Sequence, residues 1–254
     1  PIFDGQFSNQ CYQAAVEEAF RDFRTKAEAD GRWNPDDDTI LTEEWARIIM
    51  HLPYAFQAKR MFPAVFAYER RDSSSWGEVE SEIGQRPSID DFDDTPDGQV
   101  EFQKALDAYR RRISKTAAYR EFHAERIEKG QRASSLIGNQ YTGSIFLAMM
   151  STFESDYESD SPLEGNRFGL CGYGSGAKAK VFEGIVHDRW REIVASWNLF
   201  ERMAGRMAID QITYEQLHKG IHDGSVLKPH GEFALVDVGD EGVLEGARTY
   251  AWVD

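Results

Sequence analysis

The first element predicted by the apolar pattern of the chain is a long amphipathic helix. Ser8, a residue type that often caps helices, is followed by apolar side chains at every third or fourth position as far as Phe23, and charged residues occupy the other face. This helix is predicted to end near Gly31. Helical periodicity returns at 55–68 and, in a more highly charged form, across 100–129.

Short apolar runs predict strands between and after these helices. Five such runs are found at 46–50, 167–171, 181–186, 232–238 and 248–253. Further helices are predicted at 190–203 and 213–219. Because strands alternate with helical segments and no stretch of the sequence repeats, the pattern predicts an α/β or α+β fold.

Three more segments complete the predicted organisation. The segment 141–153 is apolar on nearly every side, which is typical of a buried helix. The acidic segments 87–98 and 154–165 are predicted to be solvated loops, and the first contains five aspartates, two prolines and a glycine. We therefore expect one domain over residues 1–254, with these two acidic loops.

Composition excludes several classes of protein. The formal net charge of −15 argues against nucleic acid as a partner, because phosphates are neutralised by clustered Lys and Arg. A mean hydropathy of −0.57, with no run of about eighteen apolar residues, argues against a membrane span. Two cysteines exclude a disulfide scaffold and a cysteine-rich zinc module, and they suit a reducing cytoplasm.

His51 is the candidate catalytic residue. It follows a predicted buried strand, and the carboxyl ends of such strands are where α/β folds place their ligand crevices. Pro53 makes the turn after it rigid. A single histidine is more often structural than catalytic, so a packed histidine is the alternative. The other five histidines show no spacing typical of zinc ligands, and no metal is expected.

The glycine-rich segment 172–177 formally fits the dinucleotide pattern G-x-G-x-x-A. That motif opens a helix, whereas the residues that follow here alternate like a strand. The segment therefore predicts a tight turn between two strands, and its N–H groups could serve an oxyanion. Neither Cys11 nor Cys171 has a neighbouring base in the sequence, so neither is predicted to be a nucleophile.

Asn139 has two interpretations. It precedes the predicted helix at 141–153, so its side chain can cap that helix, which is the favoured interpretation. Its uncharged amide would also suit a hydrogen bond to a thioester carbonyl, because an amide has no charge to desolvate.

Three groups of motifs carry a family resemblance: DGQFSNQCY at 4–12, HLPY at 51–54, and GNQYTGS at 138–144 paired with GYGSG at 172–176. In this order and spacing they resemble the C-terminal half of the 3-hydroxy-3-methylglutaryl-CoA (HMG-CoA) synthases, members of the thiolase superfamily. The resemblance implies a thiolase-like half, a mixed sheet covered by helices, which packs on a similar N-terminal half.

The resemblance also implies a reaction and its partners. The family condenses acetyl-CoA with acetoacetyl-CoA to HMG-CoA, in the mevalonate pathway of isoprenoid biosynthesis. The CoA thioesters are substrates, and no cofactor is expected. The complete enzyme is expected to be a cytoplasmic homodimer, with no membrane or nucleic-acid partner.

Individual roles follow from the same resemblance. The counterpart of His51 binds the ketone of acetoacetyl-CoA and acts as an acid toward the new tertiary alkoxide, which needs a nearby proton donor. The counterpart of Asn139 donates a hydrogen bond to the incoming thioester carbonyl. The loop at Ser175 borders the acyl group and its oxyanion hole. The residues expected to bind substrate are Pro53, Tyr54, Lys59, Tyr141, Gly174 and Ser175.

The chain departs from the family pattern in two ways. The nucleophilic cysteine and the general-base glutamate of the family lie in an N-terminal half without a counterpart here. We therefore expect a fragment, a processed half or one subunit of a split enzyme, inactive alone. The family also has a lysine for CoA phosphates at the position of Phe56, and we expect Lys59, with Arg60 beside it, to reach the same anion.

Two other functions stay open. One is a relative that performs the same aldol step on an acyl carrier protein in polyketide β-branching. Phe56 gives mild support to it, whereas the net charge of −15 argues against an acidic carrier as partner. The other is a non-catalytic subunit that only scaffolds a second chain. The joint presence of His51, Asn139 and the glycine–serine loop argues against pure scaffolding.

Overall fold

A computed structural model describes residues 5–34, 39–174, 176–222 and 224–254 of the chain, with the side chain of Gln6 left out. Contacts between residues divide the chain into two compact units, 1–203 and 204–254, where the sequence analysis expected one domain. The junction lies in a short helix, so no loop, proline or glycine cluster in the sequence marks it.

The larger unit contains a three-stranded sheet and most of the helices. Its strands are β1 (Trp45–Met50), β2 (Arg167–Gly174) and β3 (Lys178–Ile185). Its helices are α1 (Gly5–Ala29), α2 (Gln57–Arg70), α3 (Trp76–Ile83), α4 (Pro96–Ile113), α5 (Ala117–Arg126), α6 (Glu128–Ile137), α7 (Ser144–Glu158), α8 (Trp190–Val194) and α9 (Leu199–Ala204), which ends at the junction.

The sheet is mixed, as the α/β prediction requires. β1 pairs in parallel with β2, and β2 pairs antiparallel with β3 in a hairpin, which gives the order β1-β2-β3. A parallel pair needs a long crossover, and α2 to α7 form it. Gly169 on β2 leaves room for the buried indole of Trp45, because a Cβ at Gly169 would lie 2.1 Å from that ring.

Local sequence explains where the helices begin and end. Thr95 accepts a hydrogen bond from the N–H of Gly98 and Pro96 follows it, so α4 has a capped start within the segment predicted as a loop. Thr116 caps α5 in the same way. α6 ends at Gly138, whose φ of +94° is a conformation that side-chain-bearing residues avoid. The helices α3 and α6 were not predicted as separate elements.

The core of the larger unit lies between the sheet and these helices. It contains aromatic and aliphatic side chains from α1, β1, α2, α5 and β2: Tyr12, Val16, Phe20, Trp45, Ile48, Ile49, Met50, Phe62, Phe66, Tyr119, Phe122, Phe168 and Cys171. Their helical spacing on α1 and α2 is the spacing from which those helices were predicted.

Two predictions about 141–165 are wrong in part. α7 is not buried on every side, since Phe146 is 60% exposed and Tyr141, just before the helix, is 76% exposed. Residues 154–158 are not loop, because α7 continues to Glu158. The carboxylate of Glu154 is buried and accepts the backbone N–H groups of Leu199 and Phe200, so it caps α9.

Asp156 is the second carboxylate that the loop prediction misplaced. Its side chain is fully buried and accepts two hydrogen bonds from the guanidinium of Arg47 on β1, at 2.8 and 2.6 Å. Lys129 on α6 pairs with the same carboxylate. Burial raises the pKa of Asp156, but the hydrogen bonds from Arg47, Lys129 and Ser161 outweigh it, and the net pKa lies below the ordinary value.

The smaller unit consists of α10 (Gln211–His218) and a hairpin of β4 (Glu232–Val238) and β5 (Arg248–Val253). These elements confirm the predicted helix and strands of the last fifty residues. Asp210 caps α10 by accepting a hydrogen bond from the N–H of Thr213 at 2.7 Å.

We expect Asp156→Asn to lower the free energy of unfolding by about 3–5 kcal/mol, because a buried ion pair with one partner neutralised leaves Arg47 and Lys129 uncompensated. Urea titration followed by circular dichroism measures this. The matched control is Glu158→Gln on the same helix, whose exposed pair with Arg132 contributes at most ~1 kcal/mol. Equal losses in the two variants would contradict a structural role for Asp156.

Candidate functional site

Two elements, β2 and α1, fix the backbone of His51, which comes directly after β1. Its N–H donates to the carbonyl of Cys171 on β2 at 2.9 Å, which extends the parallel pairing by one residue. Its carbonyl accepts a hydrogen bond from the phenol of Tyr12 on α1 at 2.8 Å. His51 therefore lies at the carboxyl end of β1, as the sequence predicted, and beside the neighbouring parallel strand β2.

Ser144 fixes the side chain of His51. The Oγ of Ser144, the first residue of α7, lies 2.7 Å from Nδ1 of His51. The same Oγ accepts a hydrogen bond from the N–H of Leu52 at 3.0 Å. The ring of His51 lies beside two aromatic rings, those of Tyr12 and Tyr173, with centroids 6.5 and 6.2 Å away.

The surroundings of His51 disfavour charge. Burial lowers the pKa of His51 below 6.5, the ordinary histidine value. Burial raises the pKa of Tyr12, of Tyr173 and of the Cys171 thiol. These groups are therefore neutral at pH 7. A buried, protonated thiol at Cys171 agrees with the sequence-based conclusion that it is not a nucleophile.

Asn139 lies in the exposed loop between α6 and α7. Its Oδ1 accepts a hydrogen bond from the N–H of Tyr141, two residues further on, at 2.8 Å, which is the pattern of an Asx turn. Tyr141 has a φ of +47°, a conformation that side-chain-bearing residues adopt rarely. The prediction that Asn139 caps the helix is therefore wrong, because α7 begins after Gly143 with no side-chain cap. The bond to Tyr141 leaves the Nδ2 group of Asn139 as its donor.

The other residues predicted to bind substrate lie after β1 and at the β2–β3 turn. Pro53 and Tyr54 are half-buried directly after His51, and the phenol of Tyr54 accepts a hydrogen bond from Arg60 at 3.0 Å. Gly174 ends β2 and is exposed. Ser175 lies outside the described residues. The predicted tight turn between two strands is confirmed, with Gly176 at a φ of +77°.

Lys59 is exposed on α2 and lines two large cavities. The first, of about 490 Å³, also contains Phe56, Lys129 and Arg132. Buried His123 contacts it too, and burial, followed by the charge of Lys59, lowers the pKa of His123 to about 4. The second cavity, of about 500 Å³, contains four more basic side chains: Arg60, Lys104, Arg110 and Arg111. The chain is acidic overall, yet the surface around Lys59 is locally basic.

Sequence reasoning missed Tyr12, Ser144 and Tyr173 as site residues. All three belong to the motifs quoted above, Tyr12 and Ser144 as their last residues. The motifs were therefore the signal, but a sequence does not show which side chain contacts which. Within the part of the chain that the structure describes, no group of three His, Cys, Asp or Glu could hold a metal ion. No helix there is both long and apolar enough to cross a bilayer.

The fold and site define an α/β protein of the thiolase type, with a polar site at the carboxyl end of β1 in a mixed sheet. The family model "Hydroxymethylglutaryl-coenzyme A synthase C terminal" matches residues 1–229. The chain therefore belongs to the hydroxymethylglutaryl-CoA synthase family, as its C-terminal portion.

Curated relatives agree with this family. The chain is 29% identical to a hydroxymethylglutaryl-CoA synthase of Haloferax volcanii over 245 residues, which cover 94% of this chain and 52% of the relative. It is 23% identical to the synthase of Saccharomyces cerevisiae over 248 residues, 94% of this chain and 47% of the relative. The chain thus spans about half the length of these relatives.

Solved structures show the same fold. The structure of MvaS in complex with 3-hydroxy-3-methylglutaryl coenzyme A is similar with a TM-score of 0.70 and 25% identity, over 100% of this chain and 52% of that chain. The HMG synthase of the curacin biosynthetic pathway, in complex with holo donor-ACP, is similar with a TM-score of 0.62 and 17% identity, over 98% and 51%. The second likeness concerns the fold alone.

We expect His51 to titrate below pH 6.5, because burial disfavours the imidazolium form. An NMR titration of the histidine ring protons measures this, with His51→Gln to assign the signal. The unfolded chain binds this proton more readily, so stability falls as the pH drops below 6.5 and the contribution of His51 is constant above it. A midpoint at or above 6.5 would contradict the burial of His51.

Proposed function

We propose that this chain is the C-terminal half of an HMG-CoA synthase, which condenses acetyl-CoA with acetoacetyl-CoA to HMG-CoA. The observation that carries the proposal is the placement of His51, at the carboxyl end of β1, with Nδ1 held by Ser144. Membership of the synthase family supports the reaction.

The nucleophile belongs to the N-terminal half in this proposal. A cysteine of that half takes the acetyl group from acetyl-CoA, and a glutamate of that half removes a proton from the acetyl methyl group. Cys171 does not substitute, because its thiol is buried and burial raises its pKa. This chain alone is therefore proposed to be inactive.

His51 acts on the second substrate. The enolate carbon formed on the N-terminal half attacks the ketone carbon of acetoacetyl-CoA, and the ketone oxygen becomes a tertiary alkoxide. His51 holds that oxygen by a hydrogen bond and acts as the acid toward the alkoxide. The imidazole then takes up a proton from water, so the ring ends neutral as it began. The neutral rings of Tyr12 and Tyr173 beside the imidazole support this role. They exclude water, and a hydrogen bond to a developing oxyanion is stronger where water is excluded.

Asn139 and the β2–β3 turn act on thioester carbonyls in the same proposal. The Nδ2 group of Asn139 donates to the carbonyl of the incoming thioester, while its Oδ1 stays bonded to Tyr141. The turn with Gly174 and Ser175 borders the acyl group and contributes to the oxyanion hole. Pro53, Tyr54 and Tyr141 contact the substrate near the reacting atoms.

Lys59 binds phosphates of CoA in place of the lysine that Phe56 replaces. Its support is the surrounding surface, where Arg60, Lys104 and Arg111 line one cavity with it. Phosphate groups are recognised by such clustered cations.

An N-terminal half is the proposed protein partner. Four large apolar side chains beside the Asn139 loop are exposed: Leu136, Ile137, Tyr141 and Phe146. Exposed apolar residues grouped in this way are typical of surfaces that another protein covers. A partner that contacts this loop would also complete the site with its own cysteine.

The oligomeric state, location and pathway of the complete enzyme are proposed from the family resemblance. The complete enzyme is proposed to be a homodimer in the cytoplasm that needs no cofactor and no metal, with its product entering the mevalonate pathway of isoprenoid biosynthesis.

The second candidate is condensation on an acyl carrier protein. The observations that favour it are Phe56 in place of the CoA-binding lysine and the basic side chains around Lys59, which an acidic carrier would fit. The net charge of −15 opposes it, because the whole molecule would repel an acidic carrier. A subunit that only scaffolds a second chain would not need a histidine such as His51, whose ring is fixed by a hydrogen bond with Ser144.

We expect His51→Ala, in the chain combined with its N-terminal half, to lower the rate of condensation by about 10²–10⁴-fold, because an acid group is lost. Acetylation of the enzyme by radiolabelled acetyl-CoA should stay unchanged, since the other half performs it. His187→Ala, at an exposed histidine, is the control. Condensation near the wild-type rate in a folded His51→Ala enzyme would remove His51 from the mechanism, and a stable label on Cys171 or Cys11 would overturn the division of roles.

We expect Lys59→Ala to raise the KM for the CoA ester and to leave kcat nearly unchanged, which is the pattern of lost uniform binding. Steady-state kinetics of the complete enzyme measure both constants. Lys26→Ala is the control, because Lys26 is exposed on α1 and paired with Asp22. An unchanged KM would contradict the role of Lys59 and favour the carrier-protein candidate.

A further inference from the structure

Ser144 is a buried hydroxyl with a fixed set of hydrogen-bond partners. Its residue is 1% exposed, and Oγ lies 3.0 Å from the N–H of Leu52 and 2.7 Å from Nδ1 of His51. In the described part of the chain these are the hydrogen bonds of that oxygen. Ser144 therefore connects the first residue of α7 with the segment that follows β1.

The protons of this group can be counted. A hydroxyl has one proton and two lone pairs, and a backbone N–H can only donate. Leu52 therefore occupies one lone pair of Ser144. If Nδ1 of His51 also donated, the hydroxyl proton would need a third, buried acceptor, and leaving it unpaired costs about 1–3 kcal/mol. If the hydroxyl donates to Nδ1, every polar group of the set is satisfied.

We propose that Ser144 fixes neutral His51 in the tautomer that carries its proton on Nε2. The side chains that face His51 from α1 and β2 are the phenols of Tyr12 and Tyr173. Burial raises the pKa of each, so both are neutral at pH 7. Neither of them offers a charge that would select the other tautomer. The hydroxyl of Ser144 does so by donating to Nδ1.

The catalytic consequence of the Nε2–H tautomer rests on the proposed function. Nε2 is at the far side of the ring from Ser144, so the proton donor points away from α7. The Nε2–H group holds and polarises the ketone oxygen of the second substrate before the carbon–carbon bond forms. No proton leaves Nε2 in that state. Ser144 is thus a positioning residue that acts through His51.

The first test measures the tautomer without any reaction. Two-bond ¹H–¹⁵N correlation spectra of the ¹⁵N-labelled chain, at a pH above 7.5, separate the two neutral forms of an imidazole. We expect His51 to be protonated at Nε2 in the wild type and in Ser144→Thr, which keeps the hydroxyl. Ser144→Ala should give a mixture of both tautomers. A wild-type His51 protonated at Nδ1 would overturn the proposal.

Ser151→Ala is the matched control. Ser151 is a buried serine on the same helix, and its hydroxyl donates to the carbonyl of Lys129 rather than to His51. Its loss should lower stability while His51 stays protonated at Nε2. If Ser151→Ala shifted the tautomer as much as Ser144→Ala, general loosening of α7 would be the cause and the proposal would be wrong.

The second test uses the complete enzyme. Ser144→Ala should lower the rate of condensation by roughly 10²-fold, the effect of a misplaced reacting group, while enzyme acetylation is unchanged and Ser144→Thr restores most of the rate. An unchanged condensation rate would overturn the catalytic meaning of Ser144. If the complete enzyme shows no condensation at all, the proposed function fails, and the tautomer measurement still decides the role of Ser144.

Discussion

The fold of the larger unit depends on one buried carboxylate, that of Asp156. It joins β1 through Arg47, α6 through Lys129 and its own helix α7. Two consecutive helices are thereby fixed to a strand whose Arg47 lies 109 residues before Asp156. A helix has little freedom to rotate or slide when a desolvated ion pair on it must stay paired. The same helix starts at Ser144, so the position of Asp156 near its end also determines where its first residue lies relative to the end of β1.

The site follows from that arrangement. His51 is held at its backbone by Cys171 and Tyr12 and at its ring by Ser144. These contacts come from β2, α1 and α7, and none of them brings a charge close to the imidazole. The proposed reaction develops negative charge on a ketone oxygen, and a neutral and rigid donor suits it because little reorganisation is needed as the charge appears.

The carboxylate side chains of the chain fall into two groups, buried and exposed, which have different physical roles. Glu154, Asp156 and Glu183 are partly or fully buried and bind cations, indoles or backbone N–H groups. Exposed carboxylates such as those of Asp93 and Asp94 lie on the surface, where charge affects solubility rather than the fold. The surface near Lys59 is basic in spite of the net charge, which is compatible with the proposed binding of CoA phosphates there.

The sequence by itself determined the long amphipathic helix α1, the strands β1 to β3, the tight turn after Gly174 and the position of His51 directly after β1, because periodicity is a local property. It also determined the family, since the motifs keep their order across the chain. The tertiary structure decided that 154–158 is helix with buried carboxylates, because the partners of Asp156 lie 27 and 109 residues away. It also decided that Ser144 contacts His51 across 93 residues. Which polar groups pair is set by packing over long separations, and no local pattern encodes it.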